Sequence, residues 1–85
     1  MGYPTGMPSV TVHYFAQLRE QRGTSQEEVA LQGSESVMDL FERLFPHQGP
    51  RASSIGFAVN HRHCNGSTLL ADGDEVAFIP PVGGG

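Results

Sequence analysis

Asp72-Gly73-Asp74-Glu75-Val76-Ala77-Phe78-Ile79-Pro80-Pro81-Val82-Gly83-Gly84-Gly85 closes the chain, and these fourteen residues divide into three parts. Asp72-Gly73-Asp74 has turn composition. Glu75 to Ile79 is a short, mostly apolar run of strand character. Pro80 to Gly85 cannot continue a sheet, because Pro80 and Pro81 lack backbone N–H groups and fix φ. The two prolines hold the chain extended as it leaves the body. Gly83, Gly84 and Gly85 carry no Cβ, so a partner's backbone can approach them closely. Six extended residues reach roughly 20 Å, enough to carry one terminal carboxylate into a partner's cleft. Glycine-rich ends are commonly frayed termini. Here the glycines follow a strand and a Pro-Pro bracket, which points to a purposeful arm.

The remainder must form a body that holds this arm. Eighty-five residues allow one small domain with a modest core. No run of eighteen apolar residues exists, so no membrane span is expected. No secretory signal is visible, and Cys64 is the only cysteine, so no internal disulfide is possible. Both features fit a reducing compartment, and a cytoplasmic location is expected. The net charge is −4, with five basic residues, all arginine. An acidic domain without a basic stripe is a poor nucleic-acid binder and suits a basic protein surface better. The lack of lysine also means that an activated Gly85 acyl group finds no lysine amine on its own chain or on a sister copy.

Working back from the tail, Ser9 to Phe15 alternates as a strand, with bulk on both faces that suits a central position. Met1 to Pro8 reads as a disordered leader. Ala16 to Arg22 is a run of helix formers closed by Gly23; Arg19 and Arg22 share one side, read as a solvated face. Thr24 to Gln32, with Val29 and Leu31 two apart, suggests a strand pairing back on the first. Ser36 and Asp39 form a capping-box pattern. Val37, Leu40, Phe41, Leu44 and Phe45 then repeat at i, i+3, i+4, i+7, i+8, the strongest helical pattern in the chain. Pro46 and Gly49-Pro50 end it, and His47 to Ser54 is a polar loop. Ile55 to Asn60 is a short strand, followed by another near His61 to Cys64 and a turn at Asn65-Gly66.

Side chains able to carry chemistry are few. His13 reads as a surface or packing residue of its strand. His61 and His63 alternate, so on a strand both face one way and Cys64 the other. Two histidines make half a metal site, and no further ligand stands at suitable spacing, so no metal is assigned. Cys64 reads as a half-buried packing residue. No nucleotide-binding loop, nucleophile elbow or zinc-protease motif occurs. The chain offers a terminus in place of a catalytic constellation.

Tyr14-Phe15-Ala16-Gln17-Leu18-Arg19-Glu20 followed by Gly23-Thr24, then Ala58-Val59-Asn60, then Asp72 to Val82 followed by Gly84-Gly85, resemble the small subunit of molybdopterin synthase, the MoaD family. That family lies within the ubiquitin-like ThiS superfamily, and the resemblance runs from about Val10 to Gly85. It implies an α+β, β-grasp fold, in which a mixed sheet wraps one main helix and the first and last strands pair in parallel at the sheet centre. On that basis residues 1–8 are the leader, 9–79 the β-grasp domain and 80–85 the flexible C-terminal tail.

The resemblance also implies a function. A MoeB-like partner would adenylate Gly85 with ATP, and a sulfur donor protein would displace AMP to leave a thiocarboxylate. The tail would then enter a MoaE-like large subunit, in a heterotetramer of two small and two large subunits. There it would deliver sulfur to the cyclic pyranopterin precursor and build the molybdopterin dithiolene. In this scheme the chain binds no permanent cofactor, and Gly85 is the reacting residue. Pro80, Pro81, Val82, Gly83 and Gly84 form the stalk, and Phe15, His63 and Ile79 match the family's apolar partner contacts. His63 departs from the leucine-like residue commoner there, which makes that contact pH-sensitive. Gly83 stands where Thr or Ser is frequent, which loosens the tail. The alternatives are a sulfur carrier for thiamine or cysteine synthesis, a ubiquitin-like modifier that joins Gly85 to target lysines, and a β-grasp interaction module whose tail has no chemistry.

Overall fold

The alternation of Val10, Val12 and Tyr14 buries one side of β1 (Ser9–Tyr14) almost completely, as a period of two requires. The computed structural model describes residues 7–46 and 54–81; the expectations for residues 1–6, the 47–53 loop and Val82 to Gly85 lie outside them. Among the described residues five strands and two helices follow in order: β1, α1 (Ala16–Arg22), β2 (Gln26–Ala30), α2 (Val37–Leu44), β3 (Gly56–Val59), β4 (Arg62–Cys64) and β5 (Glu75–Ile79). They form one sheet in the order β2-β1-β5-β3-β4. β1 and β5 are parallel, with Val12 opposite Val76 and Tyr14 opposite Phe78. The other pairings are antiparallel. A mixed sheet with its first and last strands side by side and one amphipathic helix packed on it is the β-grasp arrangement.

The helix termini follow local chemistry. The Ser36 side chain accepts from the Asp39 N–H, and Asp39 accepts from the Ser36 N–H, which satisfies two of the donors a helix start leaves open. Gly23, at φ 76°, closes α1 and donates its N–H to the Arg19 carbonyl, a left-handed cap that glycine adopts without Cβ strain. Gly66 lies so close to α2 that a Cβ there would sit 3.0 Å from Met38 Cβ. Phe41 is fully buried and stacks on Phe45 at 5.2 Å between ring centres, while meeting Phe78 edge-on at 5.1 Å. The helical stripe therefore forms the core, as its spacing requires.

Two ion pairs tie the elements together. Arg22 is not on a solvated face: it donates to Glu27 at 2.9 Å and lies over the rings of Tyr14 and Phe45. The Tyr14 hydroxyl donates to the same carboxylate oxygen at 2.7 Å. Burial, and then the neighbouring carboxylate, push the Tyr14 hydroxyl well above its ordinary pKa. Glu35, 7 % exposed, receives two bonds of 2.9 Å from Arg43 and one from the Gln32 N–H. Arg43 also reaches the Ala30 carbonyl at the end of β2. The Arg43 guanidinium holds the Glu35 carboxyl below the usual carboxylate range.

A depressed carboxylate stabilises the fold above its unfolded pKa of about 4.3, and that contribution is lost as pH falls through the folded value. Glu35→Ala is therefore expected to cost about 2–3 kcal/mol at neutral pH, because it leaves Arg43 partly buried without its partner. It should also flatten the decline of stability below about pH 4.5. Urea unfolding at a series of pH values checks both effects; wild-type stability and an unchanged acid limb in the variant would exclude this role.

Candidate functional site

The outer face of the sheet, opposite the core, carries the site. On β5, Val76 and Phe78 point inward and are fully buried, so Glu75, Ala77 and Ile79 point outward. The register places His13 of β1, Ala77 of β5, Ala58 of β3 and His63 of β4 in one row across this face. At their shared end, β1 runs into Phe15 and β5 into Ile79. Phe15 is extended (φ −130°), and the next residue, Ala16, takes a left-handed φ of 51°. The chain turns away there into α1, and the Phe15 ring is left 49 % exposed.

Small residues on the floor and large ones at the ends make a shallow groove of about 370 Å³. Ala58 and Ala77 form the floor with His13 beside them in the same row, Phe15 and Ile79 stand at one end, and Glu75 and His61 at the other, toward which the His13 ring reaches. Pro80 is buried and Pro81 exposed, so the chain leaves the body at the Phe15–Ile79 end. The remaining tail residues, Val82, Gly83, Gly84 and Gly85, lie beyond the described residues.

Phe15 and Ile79, expected on a common surface, both line the groove. His63 shares their face, opposite Ala58, but stands exposed on the edge strand outside the groove lining. His61 differs from the strand reading. Asn60 (φ 54°) and His61 (φ 70°) form a two-residue left-handed turn between Val59 and Arg62, the conformation that suits the twist of a tight hairpin. His61 is thereby swung to the groove end, where its Nε2 lies 3.6 Å from Glu75 Oε1, with His13 Nε2 3.4 Å from the same oxygen. Asn60, a residue that tolerates left-handed backbone, was the available sequence signal. Its side chain locks the turn, accepting from the Glu75 N–H and donating to Asp74.

Cys64 is half-buried against the core. Among the described residues no three of His, Cys, Asp and Glu are grouped to hold a metal ion. The arrangement offers an apolar docking groove with one polar end, and an exit for the chain at the other.

Comparison with known proteins gives concordant results. A sequence model of the ThiS family matches residues 12–85. The chain is 41 % identical over 83 residues to the molybdopterin synthase sulfur carrier subunit of Mycobacterium tuberculosis, covering 93 % of this chain and 100 % of that protein. Its fold is similar to SAMP1 from Haloferax volcanii, with a TM-score of 0.73 and 27 % identity, covering 91 % of this chain and 99 % of that one. It is also similar to a chain in the complex of subunits 1 and 2 of the molybdopterin-converting factor from Helicobacter pylori. There the TM-score is 0.55 at 26 % identity, with 91 % and 99 % covered.

Proposed function

The chain belongs to the ThiS family, and from that premise we propose that it is the sulfur carrier subunit of a molybdopterin synthase. The observation that carries this reading is the position of β5. The last strand is held at the sheet centre between β1 and β3, and it ends beside the exposed ring of Phe15. A central strand at that position brings the chain to the surface at Pro81, next to an apolar surface on which a partner can seat.

The chemistry belongs to the terminus. A carboxylate is a poor electrophile, so a MoeB-like enzyme first joins Gly85 to AMP at the expense of ATP. A persulfide on a sulfur donor protein then attacks the acyl carbon and AMP departs; a thiol cleaves the resulting acyl disulfide at the donor's sulfur, which releases Gly85 as a thiocarboxylate and leaves the donor cysteine in a disulfide with that thiol. The tail next enters a MoaE-like large subunit and gives its sulfur to the cyclic pyranopterin precursor; two such deliveries build one dithiolene. Phe15 and Ile79 seat the large subunit and His63 lies at the rim of that contact. Gly83 and Gly84 give the tail clearance in the partner's channel, while Pro80 and Pro81 keep it extended. Catalytic side chains for the transfer come from the large subunit.

Co-expression with the activating enzyme and sulfur donor, followed by intact-mass measurement, tests the proposal. The expected product is heavier by the difference between a sulfur and an oxygen atom, with the change confined to Gly85. An unaltered terminus under these conditions would count against any sulfur carrier. Attachment of the chain to lysines of other proteins would identify a modifier instead. Capture of the large subunit separates the molybdopterin pathway from carriers serving thiamine or cysteine synthesis.

A further inference from the structure

The polar end of the groove has a composition that a purely apolar contact does not need. Glu75 projects from β5, its side chain 49 % exposed, with His13 Nε2 at 3.4 Å and His61 Nε2 at 3.6 Å from the same oxygen. Two separate pieces of structure converge there. His13 is placed by the β1–β5 register, and His61 by the left-handed turn between β3 and β4. Among the described residues the other ionisable groups on this side are Glu28, on β2 opposite Thr11, and His63, on β4 opposite Ala58. Glu28 is engaged with the Ser9 hydroxyl, and Asp74, the residue before Glu75, with Asn60. Among the described residues no arginine lines the groove, and the chain has no lysine.

With neutral histidines, this end of the groove carries one negative charge. With both histidines protonated, the same three groups carry one net positive charge, and the carboxylate has two cationic partners of its own. We propose that Glu75, bracketed by His13 and His61, is the charge selector of this docking face. It receives a cationic side chain of the large subunit while the histidines are neutral, and it is withdrawn by them when they are protonated. This rests on the reading of the chain as the small subunit. Charge complementarity supports that occupant, since a groove with one carboxylate on a chain of net charge −4 favours a basic partner.

Binding of the full chain to the large subunit from the same organism, measured calorimetrically at about pH 7.5 and about pH 5.5, decides the matter. The wild type should bind about tenfold more weakly at the lower pH. Glu75→Gln should bind about tenfold more weakly at the higher pH and change little between the two. The double variant His13→Gln, His61→Asn should keep its affinity at the higher pH and lose most of the fall; Asn suits the positive φ at position 61. Thermal melting confirms that each variant is folded. Wild-type affinity in Glu75→Gln, a flat wild-type profile, or a full fall in the double variant would each overturn the selector alone. Failure of the wild type to bind at either pH would overturn the carrier-subunit reading and the selector with it.

Discussion

Deleting Gly85 is expected to lower sulfur transfer by at least about a hundredfold, since an ångström-scale misplacement of a reacting atom has an effect of that order. The truncated chain still ends in a glycine carboxylate, but that group sits about 3.5 Å short of its former reach. Folding should be almost untouched, with stability within about 0.5 kcal/mol of the wild type. The physical reason is the location of the core. Its last members are Val76 and Phe78, followed only by the buried Pro80 before the chain emerges at Pro81. Transfer assays with the intact synthase and thermal melts of the isolated chain measure the two effects. A chain extended by one glycine should fail similarly, which distinguishes a need for correct reach from a need for glycine as such. Strong destabilisation on deletion would mean that the terminus packs into its own body, and retained transfer would mean that the reacting group lies elsewhere.

Phe41→Ala is expected to have the opposite profile. Phe41 is fully buried and its ring meets three others: Phe45 at 5.2 Å, Phe78 at 5.1 Å and Phe57 at 6.0 Å. Truncation removes the apolar burial and leaves a cavity that the surrounding rings fill only partly, at a cost of about 3–5 kcal/mol. A domain of this size has roughly 4–13 kcal/mol in all, so the melting temperature should fall by about 15–30 °C. Whatever fraction of the variant remains folded should still accept sulfur at its terminus, because the ring lies on the side of the sheet away from the groove. A loss below about 1 kcal/mol would show that the helix stripe is not the centre of the core.

The residues explain why some features were readable from sequence and others were not. Helix α2 is local: its stripe and its Ser36–Asp39 box lie within ten residues, so period and capping chemistry suffice. The strand limits follow from alternation, and the tail's exit follows from Pro80-Pro81. The central parallel pairing of β1 and β5 came from resemblance, since nothing in either strand alone names its neighbour. Arg22 looked solvated because its ligands, Glu27 and the Leu44 carbonyl, are brought to it by tertiary packing. The Glu35–Arg43 pair has a similar cause: Arg43 spans from α2 to both the Glu35 carboxylate and the end of β2. His61 was read one conformation away from its actual state, because strand alternation was extended through Asn60 and His61, where the backbone turns left-handed. That turn is what separates His61 from His63 and brings it to His13 and Glu75. The cluster's three members are more than sixty positions apart at their extremes, from His13 to Glu75, and only register and turn geometry together bring them within contact.

The side-by-side placement of β1 and β5 also bears on synthesis. β5 lies between β1 and β3, so a nascent chain cannot close its sheet until β5 has been made. Products that stop before Glu75 lack the central strand and leave the facing edges of β1 and β3 unpaired. A folded copy is therefore one whose translation has run past β5.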